Sequence, residues 1–290
     1  MAQASLRPTS APEATMTAAP SPIDAWNGHS GCTWVDLQPV LDAMFLPLKE
    51  VLVDAVRARR PHRLLDIGCG TGDTTLAAAR VSGKDADCVG VDISRPMTDA
   101  AIERARREGS SARFICDNAQ THAFEPDSID MFISRLGVMF FEQPVVAFAN
   151  LRRAARNDAT LCFIVWRSAE ENPYMTTAER AAASVIDLPA RQPGPGQFGF
   201  ADRMRTASLL TDGGWSHVDI QPLDVSCAYP GSELVNYFTR LGPVGVALQQ
   251  ADASTRERVI AAVRPAFDAY VHGDEVRFDA ACWLIRARAS

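Results

Sequence analysis

The chain has 290 residues, 47% of them hydrophobic and 22% charged, with a formal net charge of −6 and a pI near 5.4. At about 150 residues per domain that is two units, or one large α/β domain with insertions, long enough to bury a core without disulfide or metal staples. The acidic balance argues against a dedicated nucleic-acid binder, the apolar content argues against a disordered chain, and no apolar run reaches the roughly 18 residues of a membrane span.

Residues 1–22 are rich in Ala, Ser, Thr and Pro and lack a basic stretch followed by an apolar one. They read as a disordered tail and not as a secretory signal. Residues 23–62 read as an N-terminal helical cap. Trp26 and Trp34 flank a polar loop containing Gly28 and Gly31. Apolar residues then recur with helical period from Leu37 to Val56, and Pro47 divides them into two helices. Arg57, Arg59 and Arg60 suit a helix C-terminus.

From Arg63 short apolar runs alternate with helical segments. Strands are expected at 63–67, 88–91, 113–116, 129–134 and 161–165, and helices at 74–81, 96–108 and 144–155. Gly109 stands where a left-handed helix cap belongs. This spacing predicts parallel strands joined by crossover helices, a doubly wound α/β sheet covered on both faces. Further on, helices are expected at 202–210 and 259–271 and strands at 217–220 and 280–288. Segments 167–199 and 230–275 carry Pro, Gly and aromatic residues and read as partly helical lids over the C-terminal edge of the sheet.

The seven cysteines are odd in number and show no C-x-x-C spacing, which fits reduced thiols in a cytoplasmic protein. The five histidines are scattered, and no metal is expected.

The strongest signal is Leu64-Leu65-Asp66-Ile67-Gly68-Cys69-Gly70-Thr71-Gly72, an apolar strand that ends in an acid and a triple-Gly turn before a helix. Glycines there let the backbone turn sharply and a ligand approach closely. Asp92, at the end of the next strand, can accept hydrogen bonds from both hydroxyls of a ribose. A dinucleotide site would show G-x-G-x-x-G, but the sixth position is Asp73. Asp66 and Asp73 would repel a pyrophosphate, so a cationic sulfonium cofactor with a free ammonium group suits the turn better. The bland alternative is a Gly-rich turn with no ligand.

On these motifs the sequence resembles the class I S-adenosylmethionine-dependent methyltransferases, within them the group that includes ubiquinone/menaquinone-biosynthesis and natural-product enzymes. The resemblance is good over about residues 63–167 and holds only in outline beyond. It implies a Rossmann-like, mostly parallel seven-stranded sheet over residues 63–290, with S-adenosyl-L-methionine as cofactor. Asp66, Gly68, Gly70 and Gly72 match the motif around the methionine part of the cofactor, and Asp92 the acid on the ribose. Ile93 and Met97 match apolar positions against adenine and ribose. Asn118-Ala119 matches the pair beside the adenine amino group, with Asp117 as the competitor one residue earlier. Ser134 and Arg135 match the end of the fourth strand, near the cofactor's ammonium end.

Methyl transfer needs alignment and exclusion of water, and an oxygen or carbon acceptor also needs a base. The sequence names none. His29, in the Trp-flanked loop, and Tyr174, in the first lid, are the candidates. Their plainer readings are an exposed loop histidine and a packing tyrosine. The expected function is methylation of a small, partly apolar or aromatic molecule, with oxygen as first acceptor and carbon, nitrogen or carboxylate as others. The alternatives are a protein or RNA methyltransferase with an open charged groove, and a non-catalytic cofactor-binding regulator with no cavity beside the sulfur. A nicotinamide oxidoreductase comes last. Expected partners are a small-molecule acceptor and a second copy in a homodimer, with no nucleic acid and no membrane span.

Overall fold

A computed structural model describes residues 22–188 and 196–290. The expected tail up to residue 21, and the Pro193–Pro195 part of the first expected lid, lie outside the described residues. Four helices open the chain: α1 (Pro22–Asn27), α2 (His29–Asp36), α3 (Gln38–Met44) and α4 (Leu46–Arg59). The expected loop between the two tryptophans is helical, interrupted at Gly28. Helix α2 forms because it docks. A Cβ on Gly31 would lie 2.6 Å from Ser94 Oγ and 3.1 Å from Pro96, and that hydroxyl donates to Trp26 O at 2.6 Å. Pro47 sits in the first turn of α4, where its missing N–H costs nothing.

The parallel half follows as β1 (Arg63–Ile67), α5 (Asp73–Ser82), β2 (Asp87–Asp92), α6 (Arg95–Glu108), β3 (Arg113–Cys116), β4 (Ile129–Arg135), α7 (Pro144–Ala154) and β5 (Ala155–Trp166). Then come α8 (Pro173–Ala182), α9 (Arg203–Asp212), β6 (Ser216–Pro230), α10 (Leu234–Arg240), α11 (Gly242–Leu248), α12 (Ala253–Val263), β7 (Val271–His272) and β8 (Glu275–Arg288). The sheet order is β3-β2-β1-β4-β5-β8-β6. Strands β1 to β5 run parallel, and β8 is antiparallel to both β5 and β6.

The expected seven strands are the seven on this path. An eighth, β7, pairs only with β8, because the chain turns back at Gly273 (φ +66°) as soon as Val271 and His272 have met Val276 and Glu275. Strand β5 begins six residues earlier than expected, since its first part is polar and exposed at Arg156, Asn157 and Asp158 and bulges against β4. Strand β6 runs to Pro230, with polar residues on its open face and Cys227 and Tyr229 buried. The expected helix at 259–271 ends in α form at Val263 and continues as a 3-10 helix, Arg264–Tyr270. Pro265 has no N–H to continue the α ladder. Among the described residues no helix is long and apolar enough to cross a membrane.

Strand order reverses between β1 and β4, where a crevice opens beyond the strand ends. The sheet is anchored beneath by large buried rings. Phe148 packs on Phe163, and Trp215 donates its indole N–H to Phe148 O at 3.0 Å.

Candidate functional site

The turn after β1 is made by Gly68, Gly70 and Gly72, at φ +67°, +54° and +86°. It meets the turn after β4 directly. A Cβ on Gly68 would lie 2.7 Å from Gly137 Cα, and one on Gly137 2.6 Å from Ile67 O, so both positions exclude a side chain. The next residue back, Leu136, holds φ +64°, a conformation that non-glycine residues rarely adopt.

Asp92 ends β2 and is 8% exposed. Its Oδ2 accepts the Gly70 N–H at 2.8 Å and its Oδ1 the Ser94 N–H at 2.9 Å, which clamps the Gly turn to the start of α6. Burial raises its pKa, against these backbone donors. Each carboxylate oxygen keeps a lone pair for a further donor.

A cavity of about 460 Å³ opens over these strand ends. Of the residues singled out from the sequence, it brings together Gly68, Gly70, Asp92, Ile93, Met97, Asp117, Asn118, Ala119 and Arg135, and also His29 and Tyr174. Asp66 lines a smaller adjoining recess with Thr71 and Thr74. Gly72 and Ser134 line neither. A Cβ on Gly72 would strike Phe114 Cζ at 2.8 Å, so that glycine serves packing. Ser134 Oγ donates to Ile67 O at 2.7 Å and accepts the N–H groups of Gly137 and Val138 at 3.2 and 3.3 Å, which ties the two turns together.

Asp73 corrects the electrostatic argument made from the sequence. It lines neither the cavity nor the recess and is 4% exposed. Lys49 Nζ lies 3.1 Å away, Arg135 Nη1 2.9 Å and Arg104 Nη2 3.4 Å. Burial alone would raise its pKa, but these cations hold it below its ordinary value. Asp73 therefore repels nothing at the turn, and the anionic character there rests on Asp66 and Asp92. Arg135 is a strut between α5 and the Phe45 ring, whose centroid is 5.9 Å from its guanidinium carbon.

Asp66 is fully enclosed, and Thr75 Oγ1 donates to it at 2.6 Å. Burial pushes its carboxyl up to about 7, against that hydrogen bond and the nearby Arg135. The unfolded chain titrates it near 3.8, so folding takes up a proton between the two values. The ligand-free protein is expected to lose stability as pH rises from about 4 to 7, by up to about 4 kcal/mol. Asp66→Asn should flatten that slope, leaving the share of Asp92 and Asp42, whose carboxyls burial also raises; thermal melts across the range check this, and an unchanged slope in the variant refutes it.

Asp117 Oδ1 accepts the Asn118 N–H at 2.7 Å, and its Oδ2 lies 2.7 Å from His122 Nδ1, which lowers its pKa. Asn118 Oδ1 accepts the Gln120 N–H at 3.0 Å. Both side chains shape the loop while lining the cavity. Cys69 is buried, and burial holds its thiol well above the ordinary value, so it is no nucleophile. Among the described residues no cluster could hold a metal ion.

The far end of the cavity is aromatic. Trp26 meets Trp34 and Phe140 edge-on at 6.0 and 5.2 Å, Trp34 stacks on Phe45 at 6.5 Å, and Phe45 meets Trp166 at 6.2 Å. Helix α8 adds Tyr174, Met175, Ala178 and Glu179, while α10 adds Tyr237, Phe238 and Arg240. His29 stands in the α2 wall, with Nε2 3.1 Å from Thr33 Oγ1. Arg240 pairs with Asp36, joining α10 to α2 across the mouth. Sequence reasoning missed Phe45, Trp166, Phe238, Glu179 and Arg240. Trp166, at the C-terminal end of a sheet strand, carried a usable signal; the others sit on helices whose docking no local pattern shows.

Residues 64–158 match the family model described as a methyltransferase domain. The uncharacterized methyltransferase YcgJ of Bacillus subtilis is 29% identical over 43% of this chain and 48% of its own length. The ubiquinone/menaquinone biosynthesis C-methyltransferase UbiE of Rhizobium meliloti is 28% identical over 44% and 53%. The nocamycin O-methyltransferase of Saccharothrix syringae is 30% identical over 40% and 42%. The chain thus spans about half the length of these curated relatives. The crystal structure of YcgJ superimposes with a TM-score of 0.55 at 18% identity, covering 83% of this chain and 97% of that one, and so shares the fold.

Proposed function

We propose, from the premise that the chain carries a class I S-adenosylmethionine-dependent methyltransferase domain across residues 64–158, that it transfers a methyl group to a small, partly apolar or aromatic molecule. The observation that carries this reading is the single cavity that joins the Gly68–Gly70 turn and Asp92 to a chamber of aromatic side chains. A non-catalytic regulator would need no chamber beyond its cofactor. An enzyme for protein or RNA would need an open charged groove, whereas this chamber is walled by Trp, Phe and Tyr.

The residues present fit the cofactor. The buried Asp92 carboxylate offers lone pairs to a ribose diol, Ile93 and Met97 form an apolar wall, and Asp117 and Asn118 border an adenine-sized end. Bound there, S-adenosyl-L-methionine supplies a methyl group activated by positive sulfur. The chain's own task is to fix the acceptor and keep water out, and residues 23–62, 167–188, 196–199 and 230–275 supply the cap and lids for it. Oxygen is our first acceptor atom, with the O-methyltransferase among the relatives in support. Of the two base candidates, His29 is the better placed chemically. Burial pushes the Tyr174 phenol far up and keeps it protonated.

Incubation with methyl-labelled cofactor and a cell extract, followed by mass analysis, tests the proposal. Label is expected in a low-mass, organic-extractable product. Label in protein or RNA, or none despite tight S-adenosylhomocysteine binding, would sink it.

A further inference from the structure

At the floor of the aromatic chamber three tyrosines from three elements meet: Tyr174 on α8, Tyr229 on β6 and Tyr237 on α10. The Tyr237 ring lies 5.6 Å from each of the other two. Tyr174 is stacked flat on Phe278, with centroids 3.9 Å apart and planes at 4°, so its position is fixed by packing. Its hydroxyl is hydrogen-bonded to that of Tyr229. Tyr174 and Tyr229 are 1% and 2% exposed. Tyr174 lines the cavity, and Tyr229 stands behind it.

The hydrogen count of this pair is uneven. Two phenols carry two O–H donors, and the bond between them uses one. Among the described residues no nitrogen or oxygen accepts the second, and the neighbouring Tyr237 hydroxyl meets only the Met175 sulfur at 3.7 Å. A buried donor without an acceptor is costly, so the pair calls for an acceptor from the cavity. Either hydroxyl can donate in this bond; with Tyr229 as the donor, the spare hydrogen belongs to Tyr174, the residue that lines the cavity. Neither phenol ionises at neutral pH, because burial and the neighbouring phenols disfavour the phenolate. The pair is a donor, never an anion.

We infer that Tyr174, backed by Tyr229, is a specificity-determining subsite that donates a hydrogen bond to an uncharged oxygen, a carbonyl or a hydroxyl, on an otherwise apolar ring-shaped ligand. This rests on the small-molecule reading above and narrows its substrate class to oxygenated ring compounds. The surrounding rings bind the ligand's flat body whatever its substituents, and the tyrosine pair selects among such bodies by their oxygen.

Equilibrium dialysis of the full chain, loaded with S-adenosylhomocysteine, against 2-naphthol and naphthalene tests this. The two probes share one flat body and differ by one oxygen. Tyr174→Phe is expected to lower the ratio of 2-naphthol to naphthalene affinity by about five- to tenfold and to leave naphthalene binding unchanged. Tyr229→Phe should keep most of the preference, because Tyr174 retains its hydrogen. A purely structural role for Tyr174 would weaken both probes alike. A ratio that Tyr174→Phe leaves unchanged, or failure of the wild type to bind 2-naphthol, overturns the proposal. Cofactor affinity measured on the same samples keeps the two readings apart: unchanged cofactor binding without probe discrimination removes the subsite alone.

Discussion

Asp73→Ala is expected to destabilise the protein by about 3–5 kcal/mol, the usual cost of stripping one member from a buried charge cluster. The carboxylate is shared by Lys49, Arg104 and Arg135, whose side chains are themselves only 13–15% exposed. Its removal leaves Lys49 and Arg135 without their carboxylate in a region that water reaches poorly, while Arg104 keeps Asp42 at 2.8 Å and Glu108 at 3.3 Å. The cluster also joins α4, α5, α6 and the end of β4, so its loss should loosen the N-terminal cap as well as the turn. Urea unfolding measures this as a shift in midpoint at constant slope. A midpoint within experimental scatter of wild type would mean that the cations find water, and the cluster would then be a solvated surface feature. The lowered carboxyl value adds a sign to the prediction. The contribution of Asp73 is present above its ordinary value of 3.8 and fades on acidification.

Asp92→Ala should weaken S-adenosylmethionine binding by about thirty- to a thousandfold. In the proposed site the carboxylate accepts two charge-assisted hydrogen bonds from the ribose hydroxyls, each worth about 1–2 kcal/mol. The substitution also frees the N–H groups of Gly70 and Ser94 that the carboxylate now accepts, which loosens the turn itself. Asp92→Asn separates the two effects. Its amide oxygen still accepts one backbone N–H while the negative charge is gone, so its affinity should fall between wild type and Ala. Calorimetry on the three proteins decides the matter. Equal affinity in wild type and Ala would remove Asp92 from the ribose, and with it the assignment of this cavity to the cofactor.

Much of the parallel half was legible because its signals are local. The strands at 63–67 and 113–116 and the helix ending at Glu108 lie where apolar runs and Gly109 place them. The triple-Gly turn could be read because a left-handed backbone at a strand end selects glycine within a few residues of chain. Strand β6 was mostly hidden. One face carries the exposed Pro222, Asp224 and Ser226, while the other mixes exposed Gln221 with half-buried Leu223 and Val225 before Cys227 and Tyr229, so the alternation shows little contrast. The Trp26–Trp34 segment looked like a loop because Gly and Ser are poor helix formers. Its helix exists through docking on Ser94 and Pro96, contacts more than sixty residues away.

The sequence by itself determined the α/β class, the parallel crossover connections of the first strands and the triple-Gly turn that ends the first of them, since each depends on residues adjacent in the chain. Tertiary structure alone decided which charges the ligand would meet. Asp66 and Asp73 are seven positions apart and chemically identical, yet one is enclosed with a threonine and titrates near 7 while the other is neutralised by cations from three other elements. Tertiary packing likewise brought α2, α8 and α10 together into one aromatic chamber, with the Tyr174 hydroxyl bonded to that of Tyr229 behind it. Charge–charge energies and burial depend on distance through space, and only the folded chain sets those distances.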